Sequence, residues 1–200
     1  MVLRSLNQIE MKRTLISLIC LVAANYAFSQ QYLNGESAEP QNSVNIALDE
    51  INRSFTPSEV NFSNLKSANT LKTFEVSYEN FPEEAKEAFL YALSVWDQKI
   101  TSTIKIRVLA KWENLSNNTL GEGKPAVFYR NFRGTPISNV FYPVALAEKI
   151  TGREINKSDE ADIVCSFNKT ASWYIGANGQ TPASSYDFIT AALHKIGHGM

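Results

Sequence analysis

The sequence predicts an α+β fold in which a twisted mixed sheet is backed by a long helix and followed by a C-terminal helix. Three observations predict it. Apolar and polar residues alternate over 73–78 and 103–112, which is the period of a half-buried strand. Apolar residues recur at helical spacing over 82–100, between those two strands. Helical spacing returns after Ser184 and continues towards residue 200.

The first helix has a defined start and a single apolar face. Pro82 suits a first helical position, and Glu83 and Glu84 complement the positive end of the helix dipole. The apolar face comprises Ala85, Phe89, Ala92, Leu93 and Trp96. We therefore expect one long helix that ends near Ile100 and packs against the sheet.

The middle of the chain is less regular. Residues 114–125 are dense in Asn, Ser and Gly and predict a loop, and 126–131 predict a short edge strand before a turn at 134–136. Tyr142 and Pro143 open a predicted short helix that ends near Ile150.

The last third predicts two strands and a helix. Residues 163–167 are mostly apolar, which suits a strand buried on both faces, and 172–175 suit a short edge strand. Ser184 is a predicted N-cap, with Asp187 three residues later. In the helix that follows, one face is apolar, and the adjacent face carries Thr190, His194 and His198.

The first 29 residues predict a secretory signal peptide. Met11 is a plausible true start, followed by two basic residues, an apolar run over 15–24 and a small-residue cleavage site at 27–29. A buried N-terminal helix is the alternative. The apolar run is about half the length of a membrane span, so we expect export to a secreted or periplasmic location without stable membrane insertion.

Residues 30–72 are rich in Asn, Ser, Glu and Pro and predict a poorly ordered leader, with a propeptide as the alternative. The packed domain is therefore expected over 73–200. The net charge is −1, and the predicted signal carries three basic residues and one acidic residue, so the mature chain has −3. With no cluster of Lys or Arg, nucleic acid is not an expected partner.

Cys165 is the only cysteine outside the predicted signal peptide, so the mature chain has no internal disulfide. Its apolar neighbours favour a buried core thiol. A catalytic cysteine fits less well, because a reactive thiolate needs an exposed, electropositive setting.

The segment 193–199, LHKIGHG, carries the most specific chemistry. His194 and His198 are one helical turn apart, so both imidazoles can reach one metal ion. In the H-E-x-x-H arrangement of zinc peptidases a glutamate follows the first histidine and acts as general base, but here that position holds Lys195. Two histidines at this spacing can also be ordinary surface or core residues.

Several segments resemble secreted bacterial zincins, the metzincin-like zinc metallopeptidases. They are 81–89 (FPEEAKEAF), 142–147 (YPVALA), 172–174 (SWY) and 186–188 (YDF), followed by the histidine segment. The resemblance covers about 73–200 and implies a zincin N-terminal subdomain that stops after the active-site helix, without the lower subdomain. It also implies zinc as cofactor, His194 and His198 as ligands, and peptides as substrates, with the third ligand beyond residue 200.

Three interpretations follow. The first is a zinc metallopeptidase whose sequence is incomplete and altered at Lys195, so that it is inactive as written. The second is a secreted pseudoenzyme that binds a partner, with Trp173 and Tyr174 at the presumed cleft edge; the simpler interpretation of these aromatics is edge-strand packing. The third is a structural domain without metal. The sequence indicates neither a particular substrate nor an oligomeric state.

Overall fold

The computed structural model describes residues 34–40, 44–47, 71–116 and 119–200. The predicted signal peptide and most of the predicted leader lie outside the described residues and stay predictions. The described part is a mixed structure with three helices and several sheets, which confirms the α+β class.

The structure sets the bounds of each element. The strands are β1 (Glu36–Ala38), β2 (Val44–Ala47), β3 (Phe74–Glu79), β4 (Ile106–Glu113), β5 (Thr119–Pro125), β6 (Phe128–Arg130), β7 (Tyr142–Pro143), β8 (Ile163–Asn168), β9 (Trp173–Tyr174) and β10 (Tyr186–Asp187). The helices are α1 (Glu83–Asp97), α2 (Val144–Thr151) and α3 (Phe188–Gly199). None of the helices in the described ranges combines the length and apolar character that a bilayer span requires.

A five-stranded mixed sheet, in the order β2-β5-β8-β4-β3, organises the structure. β3, β4 and β8 are parallel, whereas β5 is antiparallel to both of its neighbours. The connection from β3 to the parallel β4 contains α1, because parallel neighbours need a crossover and cannot be joined by a tight turn. The predicted mixed sheet and its long helix are therefore present.

The helix α1 begins and ends slightly inside its predicted bounds. Pro82 is extended (φ −69°, ψ 149°) and forms the N-cap, so the first helical residue is Glu83. The helix ends at Asp97, whose carboxylate accepts hydrogen bonds from the backbone N–H of Lys72 (3.0 Å) and of Thr73 (2.6 Å). These two bonds tie the end of α1 to the start of β3.

The prediction of a loop over 114–125 is wrong for residues 119–125, which form β5 inside the sheet. Glycine and proline are unfavourable in strands, which is why the composition suggested a loop. Here the packing of α3 requires glycine: a Cβ on Gly123 would lie 2.9 Å from the Cα of Lys195. Tertiary packing therefore overrides local propensity at this strand.

A smaller unit lies beside the main sheet. β6 pairs with both β1 and β7, so the predicted edge strand at 126–131 is the central strand of a three-stranded sheet. Tyr142 and Pro143 form β7, and the predicted short helix starts after them, at Val144. This helix, α2, ends at Thr151, before a left-handed Gly152 (φ 68°) that caps it.

The main core lies between the sheet and the helices α1 and α3. Phe167, at its centre, is fully buried, and its ring centroid lies 4.9 Å from that of Phe188 and 5.8 Å from that of Phe89. The two aromatic rings beside Phe167 come from α3 and α1, so one residue of β8 fixes both helices against the sheet.

Candidate functional site

The histidine-bearing helix α3 is capped by Asp187. Its Oδ1 accepts a hydrogen bond from the backbone N–H of Thr190 (2.7 Å), and its Oδ2 accepts one from the Thr181 hydroxyl (2.9 Å). Ser184, the predicted N-cap, is exposed and lies before the helix. Asp187 takes the role because it is the last residue of β10 and is therefore extended (φ −70°, ψ 110°) where the helix begins.

Three glycines allow α3 to pack closely. Gly123 of β5 lies under the main chain of Lys195, and a Cβ on Gly199 would collide with the Ile163 side chain. A Cβ on Gly197 would lie 3.3 Å from the Trp96 ring of α1. The Trp96 indole N–H also donates a hydrogen bond to the Leu193 carbonyl (3.1 Å). The last two turns of α3 are therefore held by β5, β8 and α1 together.

The structure brings the two histidines together on the outer side of this helix. His194 is exposed and His198 is half-buried, and their Nε2 atoms are 2.6 Å apart, a hydrogen-bond distance. Two imidazole ligands on a tetrahedral zinc ion, each about 2.0–2.1 Å from the metal, have nitrogens about 3.3 Å apart. Binding of the ion by this pair would therefore require the two Nε2 atoms to move slightly apart.

Lys195 does not belong to this pair of side chains. It is fully buried (0 % exposed), on the side of α3 that faces the sheet. It lies near the Cys165 thiol. Burial raises the pKa of that thiol to about 12, although the nearby Lys195 acts in the opposite direction. The position of the expected general base thus lies inside the protein, whereas the histidine nitrogens lie at its surface.

Within the described ranges, no group of three or more His, Cys, Asp or Glu side chains is placed to hold a metal ion. A catalytic zinc site has three protein ligands and one open position for water. His194 and His198 can fill two of the three protein-ligand positions. The donor set suits metal binding. Water activation for peptide hydrolysis needs a general base and a third ligand in addition to these two imidazoles.

Two other sequence predictions are resolved nearby. Cys165 is buried in β8, which confirms the core thiol. Trp173 is half-buried, contacts the rings of Trp112 and Phe188, and donates its indole N–H to the Asn168 carbonyl (2.8 Å). It packs at the edge of the core, as the simpler interpretation expected.

Sequence reasoning missed a buried carboxylate cluster outside the histidine site. Glu148 of α2 is 1 % exposed, and its Oε1 accepts a hydrogen bond from the Ile155 N–H (2.9 Å). Its Oε2 has no hydrogen-bond partner among the described residues. Burial raises its pKa to about 7, with Asp162 and Glu154 adding to the effect and Arg107 opposing it. A glutamate amid apolar helix residues was the only sequence signal.

We expect this cluster to make stability depend on pH. Since the pKa of Glu148 is near 4.5 in the unfolded chain and about 7 in the folded protein, the folded state holds more protons between these values. The free energy of unfolding should therefore fall by up to about 3 kcal/mol as the pH rises from 4.5 to 7. Urea denaturation at pH 5 and pH 8 measures this change.

The variant Glu148→Gln should remove most of that pH dependence and be more stable than the original protein at pH 8, since it keeps an acceptor for the Ile155 N–H without a buried charge. The exposed Glu84→Gln is the matched control. Equal pH dependence in Glu148→Gln and Glu84→Gln would contradict the assignment.

Comparisons of the chain with protein-family models, with curated proteins and with solved structures found no match. The resemblance to zincins therefore stays a prediction from the sequence.

Proposed function

We propose that this chain is a secreted relative of the zincin metallopeptidases that binds zinc through His194 and His198 without hydrolysing peptides. The observation that carries the proposal is the approach of the two Nε2 atoms to 2.6 Å on the outer side of α3. Imidazole nitrogens are preferred zinc ligands, so two imidazoles this close together can bind one zinc ion between them.

The surrounding fold supports the metal-binding part. The helix that bears the histidines is fixed by close contacts to β5, β8 and α1, so its surface residues are held on a rigid element. Ligands on a rigid helix lose little entropy when the ion binds. Bound zinc would supply Lewis acidity at this surface, and the chain's own part is to hold the two imidazoles.

The absence of hydrolysis follows from Lys195. A general base must reach the water that it deprotonates, within about 3 Å or through one further water. Lys195 has no carboxylate to act as that base, and its side chain is buried against the sheet. A peptidase of this class loses about a hundredfold to ten-thousandfold in rate without its base. We expect zinc-loaded protein to leave a mixed peptide library uncleaved.

Zinc binding is tested by titration of the metal-free protein against a chromophoric chelator. The original chain should bind zinc, and His194→Ala and His198→Ala should each lower the affinity at least about tenfold, since even second-shell changes cost this much. Leu146→Ala, on the exposed side of α2, is the control and should bind as the original does. Unchanged affinity in both histidine variants would reject the site and leave the structural-domain interpretation.

The secreted location is tested separately. Expression of the full chain in a bacterial host with an intact export system should yield protein outside the cytoplasm whose N-terminus is Gln30. Protein that stays in the cytoplasm with an uncleaved N-terminus would contradict export, without affecting the metal site.

A further inference from the structure

We infer that one zinc ion joins two copies of this chain, with His194 and His198 of each copy as its four ligands. The inference rests on the proposed function, because it uses the same two imidazoles. It adds a partner of stated chemistry, namely a second copy of the same surface.

The first argument is the number of ligands. Structural zinc sites are almost always four-coordinate and tetrahedral. One helix supplies two imidazoles, and the described ranges hold no group of three or more suitable side chains. A second copy supplies two imidazole nitrogens for the two remaining ligand positions, and a two-fold axis through the ion relates the two pairs.

The second argument is the surface around the histidines. Between Phe188 and Gly199 the only Lys, Arg, Asp or Glu is Lys195, which is fully buried. The capping Asp187 is also buried, at 2 % exposed. The outer side of α3 therefore presents no Lys, Arg, Asp or Glu of its own, and its two histidines bind zinc as neutral imidazoles, so two copies of the helix can approach each other without like-charge repulsion between these side chains.

The third argument is the exposure of the ligands. His194 is exposed, and the Nε2 atoms of both histidines lie on the same side of the helix, one turn apart. An ion held by this pair is within reach of a neighbouring molecule, whereas an ion in a closed cleft is not.

Sedimentation velocity of the full chain, freed of metal and then titrated with zinc chloride, tests the inference. The mass should double from 22.4 kDa and the dimer fraction should peak near half an equivalent of zinc. At a tenfold excess of zinc each copy binds its own ion, so the dimer fraction should fall at least about twofold by mass action. Chelator should restore the monomer.

The variants separate the possible outcomes. His198→Ala should lower the dimer fraction at half an equivalent of zinc at least about tenfold, while Leu146→Ala should leave it unchanged; circular dichroism checks that both variants fold. A monomer that binds one zinc per chain overturns the bridged dimer but leaves the proposed function. A chain that binds no zinc overturns both. A dimer that persists in chelator, or in His198→Ala, also overturns the bridge.

Discussion

Replacing Gly123 by valine is expected to lower the free energy of unfolding by about 3 kcal/mol or more. A Cβ at this position would lie 2.9 Å from the Cα of Lys195 and closer still to its carbonyl oxygen, so it meets backbone that cannot rotate away. Relief requires α3 to move off β5, which disturbs the core beneath it. Valine favours strands, so local propensity would act in the opposite direction. Urea denaturation measures the loss.

The neighbouring Lys124→Val is the matched control, because it adds the same side chain to the same strand at a half-buried position. It should change the stability by less than about 1 kcal/mol. The Gly123 variant should also bind zinc less well than Lys124→Val, because His194 and His198 lie on α3, the helix that would move. Similar stability in the two variants would show that α3 does not press on β5 as described.

Replacing Phe188 by alanine is expected to cost about 4 kcal/mol. The side chain is fully buried at the first turn of α3. Its ring centroid lies 4.9 Å from that of Phe167, 5.4 Å from that of Trp173 and 5.6 Å from that of Trp112. Removing it leaves a cavity among rings that belong to three different strands, and such rings cannot collapse together without moving the sheet. Thermal or urea unfolding measures the change.

Phe141→Ala is the control for this variant, since Phe141 is 42 % exposed and contacts Arg130 at the surface. It should cost no more than about 1 kcal/mol. If both phenylalanines cost the same, the aromatic cluster around Phe188 would not be the main support of α3.

Most of the main sheet was predictable, because its strands carry a clear periodicity. Phe74, Val76 and Tyr78 alternate with polar residues, and this pattern survives in β3 since only one face of that strand is covered. β5 was missed for a physical reason. Gly121, Glu122, Gly123 and Lys124 also alternate, but the inward residues are glycines, and glycine is not counted as a core residue unless the helix above it is already known.

The histidine pair was predictable from spacing alone, because a helix fixes the relation between residues four apart. The orientation of Lys195 was not. Residue 195 lies about 100° from residue 194 around the helix, so its side chain could face either the solvent or the sheet, and the choice depends on how closely Gly123 lets α3 approach β5. Glu148 was likewise beyond prediction, since its burial depends on how α2 meets the segment that follows it.

The pairing of β2 with β5 has a consequence for the integrity of the chain. β2 comes from 44–47, inside the segment that the sequence predicts as a leader, yet it supplies one edge of the main sheet, opposite β3. A protease that removed this segment would leave the N–H and C=O groups of β5 unpaired along one side. Such an open edge is a template for strands of other molecules. Limited proteolysis before residue 71 would thus remove the short edge strand β2 and expose the edge of β5 to pairing with other copies of the protein.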